Sequence, residues 1–197
     1  MLSLKKILFI MAGFVLLMAC EKSEDMLNED MSDGENLKCA GGRPGRPFHN
    51  KITLPFRADF IGNYVGVEPS PVCGEGSWMM ITNEGGGTGT MLGNFTHRFQ
   101  FCCELETGIY PGGYMKSYFV AANGDSLFVA CAGQVIAGRA EDQPEYVTEY
   151  FRDPFVILGG TGKFKGATGK GKTNDYNSSL DPNSHHHWRG TITLLRP

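Results

Sequence analysis

From Pro55 onward the chain alternates apolar and polar positions. In PFRADFIGNY, Phe56, Ala58, Phe60, Gly62 and Tyr64 share one side, while Arg57, Asp59 and Asn63 take the other. In FTHRFQFCCE, Phe95, His97, Phe99, Phe101 and Cys103 line one face, against Thr96, Arg98, Gln100, Cys102 and Glu104. A period of two is that of a strand with one buried and one wet face. Further strands are predicted at 78–83, 89–93, 114–121, 126–135, 146–157, 167–176 and 187–195, and ANGD, through Asn123 and Gly124, joins two of them in a tight hairpin. No stretch repeats apolar residues at the spacing of a helix. Short strands with glycine-rich corners predict an all-β fold over residues 51–197. A sandwich or a single antiparallel β-barrel of about eight strands is expected, and closure removes the exposed edges a sandwich must protect.

The N-terminus breaks this pattern. MLSLKKILFIMAGFVLLMAC begins with Lys5 and Lys6, continues as an apolar run, and ends with Ala19 before Cys20. That is the layout of a cleaved export signal, and the run is shorter than the ~20 residues that span a membrane. LMAC resembles the lipobox of bacterial lipoproteins, which implies a signal peptide over 1–19 and lipid attachment at Cys20. Residues 20–50 follow as a tether, with seven acids against Lys22 and Lys38 between Cys20 and Cys39 and few large apolar side chains. Such a composition cannot offset its own ordering entropy, so disorder is expected. The acidic stretch after Cys20 also resembles the surface-export signals of Bacteroidetes lipoproteins, although a plain solvated spacer explains it as well. The expected location is the cell envelope, as an outer-membrane lipoprotein facing either the periplasm or the cell surface.

The net charge of −3 arises in that acidic stretch, and the folded part is balanced between acid and base. No nucleic-acid partner is expected from such a surface. GATGKGKT, Gly166 to Thr173, fits the written form of a nucleotide-binding P-loop. A P-loop needs a helix after it to hold phosphates, and NDYNSSLDPNSHHHWRG reads as loop. No nucleotide is expected there.

A family resemblance accounts for those glycines better. GGGTGTMLGNFTHRF, followed some sixty residues later by FVILGGTGKFKGATGKGK, resembles the paired signatures of the allene oxide cyclase barrel-like superfamily, to which plant dirigent proteins are related. The resemblance implies that Gly159, Gly160, Thr161, Gly162, Phe164, Gly166, Ala167, Thr168 and Gly169 form a hairpin corner of an eight-stranded barrel. It implies that oligomers are possible, and no catalytic constellation can be carried over onto this chain.

Phe56, Phe60, Phe95, Phe99 and Phe101 are the candidate lining of a pocket for a small apolar ligand, or ordinary barrel core. Cys39, Cys73, Cys102, Cys103 and Cys131 remain after Cys20, an odd number in an exported protein. Cys102 and Cys103 face opposite ways in a strand, so Cys103 is expected to pair with Cys131, and Cys73 with Cys102 or Cys39. His185 and His187 share a face and are weak metal candidates; a solvated loop explains them as well. No cofactor is implied. With no acid, base and nucleophile converging, the expectation is a noncatalytic binding module for a small apolar ligand or an envelope partner. The alternative is a cyclase or isomerase that uses a hydrophobic barrel pocket.

Overall fold

The structure is a computed structural model that describes residues 50–112 and 117–196. The signal peptide, Cys20, the acidic tether and Cys39 lie outside the described residues, as does the start of the strand expected at 114–121. Among the described residues thirteen strands are formed: β1 (Lys51–Pro69), β2 (Trp78–Gly89), β3 (Gly93–Glu104), β4 (Ile109–Tyr110), β5 (Ser117–Ala121), β6 (Ser126–Cys131), β7 (Gly133–Gln134), β8 (Ile136–Ala137), β9 (Val147–Phe151), β10 (Pro154–Gly160), β11 (Thr168–Lys172), β12 (Asp175–Ser178) and β13 (Ser184–Leu195).

Eight of them close into an antiparallel barrel in the order β1, β2, β3, β5, β6, β10, β11, β13, with β13 pairing back onto β1 from Lys51–Leu195 to Gly62–Ser184. The expected strand at 146–157 bends at Arg152–Asp153 into β9 and β10. The one at 167–176 bends at Thr173–Asn174 into β11 and β12. Register survives each bend. Cys131 faces Phe155 on β6–β10 and Ile136 faces Tyr150 on β8–β9, which is one continuous alignment. Thr173 bridges the kink, donating its hydroxyl to the Phe151 carbonyl at 3.2 Å and accepting the Asp153 N–H at 3.0 Å.

The strand expected at 89–93 is not formed. Residues 90–92 turn between β2 and β3, with Met91 at φ 65° and Gly93 at φ 65°, and the glycine run before them is strand instead. The reason is packing inside the barrel. A Cβ on Gly87 would lie 2.1 Å from the Asp59 carbonyl and 2.5 Å from Phe60 Cβ. A bare backbone here lets the Phe60 side chain occupy the axis. Its ring meets Phe95, Phe99, Phe119 and Trp188 at centroid distances of 5.6, 5.8, 5.4 and 5.8 Å, all edge-on. Each such ring stabilises by roughly 1.5–3 kcal/mol through burial, and each edge-on pair adds about 0.5–1.5 kcal/mol.

The two barrel ends differ. At one end short turns join β2 to β3, β5 to β6 and β10 to β11. The last of these folds into a 3-10 turn, Gly162–Phe164, whose Phe164 is fully buried against β6, β10 and β13. Phe164 therefore plugs this end. At the other end the connections are longer (70–77, 105–116, 132–146 and 179–183), and β4 pairs with β7 across them. Gly166 to Thr173 runs mainly as strand β11, and β12 rather than a helix follows it.

Candidate functional site

The inner face of β13 decides what lies along the axis. Ser184, His186, Trp188, Ile192 and Leu194 are buried, while His185, His187 and Arg189 alternate outward. Of three consecutive histidines, only the middle one enters the barrel. His185 stacks on Tyr176 at 4.8 Å and sits 3.0 Å from Asp181; His187 lies 2.8 Å from Asp59. The two metal candidates are thus on the outer surface with different carboxylate partners. Among the described residues no group of three or more His, Cys, Asp or Glu side chains gathers as a metal site.

His186 stacks on Phe60 at 4.5 Å and belongs to a chain of buried polar groups. Asp175, at the start of β12, accepts the Trp188 indole N–H at 2.9 Å and the His187 backbone N–H at 2.9 Å, and lies 2.8 Å from His186 Nδ1. His186 Nε2 is 2.8 Å from Ser184 Oγ, which donates to the Gly62 carbonyl at 3.1 Å and accepts from Asn83 Nδ2 at 3.0 Å. Asn83 Oδ1 accepts from His97 Nε2 at 2.9 Å, leaving His97 Nδ1 buried with no partner. Burial, reinforced by nearby His186, pushes the His97 imidazole down to about 3.

Asp175, His186 and Ser184 have the connectivity of a hydrolytic triad. A nucleophile must reach its substrate, however. Ser184 is 0% exposed and boxed in by Gly62, Asn83 and His186, so the three groups act as a satisfied polar support inside the wall.

Above this network, at the end with the long connections, is a cavity of about 310 Å³. That is the lower end of the range of small-molecule sites. Its floor is Phe99, Trp188 and His186; Ile81, Phe101, Cys103 and Phe151 form the apolar wall. Val67 and Leu105, both exposed, mark the rim. The opposite wall is polar: Asn177 donates to Glu149 at 2.6 Å and accepts from the Tyr64 hydroxyl at 3.3 Å. Tyr110, brought in on β4, packs on Phe101 at 5.6 Å and donates to Asp153. Burial drives the Tyr110 phenol far above its usual value and raises the Asp153 carboxyl.

The five phenylalanines named from the sequence divide. Phe99 and Phe101 line the cavity, whereas Phe56, Phe60 and Phe95 are packed core below it. The expected Cys103–Cys131 disulfide is absent. Cys73 bonds to Cys102 on the outer face, while Cys103 and Cys131 are buried thiols in the cavity wall. β5 separates their strands, so the two thiols do not sit on adjacent strands. Burial raises Cys103 to about 11 and Cys131 to about 12. Sequence reasoning missed His186, Asp175, Asn83 and Glu149. Period-two counting from Trp188 marks His186 as inward, but nothing in the sequence brings β12 and β2 to it. Comparison of the chain with known protein families, curated proteins and solved structures found no match.

Proposed function

We propose that this chain is a lipid-anchored extracytoplasmic binding protein of the allene oxide cyclase barrel-like type, and that it holds a small, largely apolar molecule at the open end of its barrel. The observation that carries this reading is the cavity itself. Eight strands leave a narrow interior, which side chains commonly fill from end to end. Here they fill the half beneath Phe60 and stop at Phe99 and Trp188, leaving about 310 Å³ under the longer connections. Fixed rings and satisfied hydrogen bonds make the floor rigid, so little ordering entropy opposes binding.

The cyclase or isomerase reading draws on the Asp175–His186 pair beside the cavity. Proton transfer needs a ring nitrogen directed at the bound molecule, and both nitrogens of His186 are engaged, by Asp175 and Ser184. Binding without chemistry is therefore preferred.

Two measurements test the proposal. Native mass spectrometry of the full chain from its own envelope is expected to find a stoichiometric small molecule, lost when Cys103→Trp fills the cavity. An empty wild-type barrel with ligand-free extracts argues against the pocket. For the anchor, Cys20→Ala is expected to move the chain from the membrane pellet to the soluble fraction; retention in the pellet refutes anchoring through Cys20.

A further inference from the structure

We infer that the cavity selects an organic cation, an apolar amine or alkylammonium, over a carboxylate or a neutral alcohol of the same skeleton. The inference rests on the binding reading above and deepens it. Its first ground is charge. Glu149 and Asp175 line the cavity, and no Lys or Arg does so among the described residues. The ion pairs made by described Lys and Arg side chains, Arg98–Glu84, Arg152–Asp142 and Arg189–Asp59, are solvent-exposed and involve neither acid.

The second ground is the hydrogen-bond inventory. An anionic ligand needs donors, and most of those in the cavity are committed, with one further amide N–H left on each of Asn83 and Asn177. Trp188 gives its N–H to Asp175, Asn83 gives an amide proton to Ser184, Tyr110 its hydroxyl to Asp153, and Tyr64 its hydroxyl to Asn177. An acceptor remains on the polar wall. Asn177 holds Glu149 Oε2, leaving Oε1 without a protein donor among the described residues. A ligand that brings protons, as an ammonium does, meets this open acceptor.

The third ground is the aromatic content. Phe99, Phe101, Tyr110, Phe151 and Trp188 line the cavity, with Tyr64 beside Glu149. Aromatic faces attract cations through the ring quadrupole, most strongly where water is excluded. A carboxylate in the same place meets the Glu149 carboxylate and unfavourable ring faces, while Asp175 is already held by His186, Trp188 and the His187 backbone N–H.

The test uses the full chain carrying Cys20→Ala and isothermal titration calorimetry with 3-phenylpropylamine, 3-phenylpropanol and 3-phenylpropanoate. The amine is expected to bind about tenfold or more tighter than either of the others. Glu149→Gln, isosteric and still able to accept from Asn177, is expected to bring the amine to within about threefold of the alcohol. Unchanged alcohol binding by that variant serves as the check on its fold. Equal binding of all three probes overturns the cation assignment and leaves the pocket reading standing. An amine preference that survives Glu149→Gln overturns the role of the polar wall. Failure of all three probes to bind saturably overturns the pocket reading itself.

Discussion

His97 makes the fold acid-sensitive in a way that can be calculated. Its ring lies inside the barrel, 4.8 Å from Phe60 and 4.6 Å from Phe99. Because Asn83 donates to Ser184 through Nδ2, it turns its accepting Oδ1 to the ring, so His97 carries its proton on Nε2 and leaves Nδ1 bare. Protonation would place a charge at Nδ1 among aromatic rings with no partner, which is why burial holds the group near 3. The unfolded chain takes up that proton near 6.5. Between these values the unfolded state binds more protons, so stability is complete above about pH 6.5 and is lost as pH falls toward 3. The slope is about 1.4 kcal/mol per pH unit, or about 3 kcal/mol by pH 4.5, a large share of a typical 5–15 kcal/mol. Carboxyls complicate the raw curve, with Asp59, Asp142 and Asp181 also lowered by their partners. Asp153, raised by burial, acts in the opposite sense, and Glu104, held down to about 2 by Ser77 and Thr107, adds its own loss only below its usual range. The assay is therefore a difference: urea unfolding of wild type and His97→Gln from about pH 7 to 4.5. Gln can still donate to Asn83 but does not titrate. The variant is expected to lose about 1.4 kcal/mol less per pH unit, and parallel curves would refute the reasoning.

Two further outcomes follow from the packing. Gly87→Ala drives a methyl into the Asp59 carbonyl and Phe60, so thermal or urea unfolding should register a loss of about 1–3 kcal/mol; an unchanged midpoint would mean that β1 and β2 can move apart freely. Cys103 and Cys131, raised to about 11 and 12, hold almost no thiolate at neutral pH. Iodoacetamide should label neither in the native chain and both after unfolding in urea, and rapid native labelling would show the cavity wall to be open to reagent.

Much of the barrel is legible in the alternation of β1 and β3, since a strand buried on one face must place apolar residues at every second position. The glycines at 85–87 were harder to read. Locally they suggest a corner, and only the approach of Phe60 from β1 explains why that stretch stays extended. The cysteines failed for the same kind of reason, because strand order across the sheet is not written in residue spacing.

By itself the sequence determined an all-β chain, the inward rows of aromatic residues and the turn at Asn123–Gly124. These depend on near neighbours: backbone sterics, period-two alternation and local composition. Tertiary structure decided which phenylalanines fill the barrel and which border a cavity, which histidine faces inward, and how Asp175, Ser184 and Asn83 meet around it. Those groups come from β12, β13 and β2, distant in the chain, and are brought together only when β13 closes the ring against β1. Closure is a long-range event, so the chemistry of the interior is set by the fold.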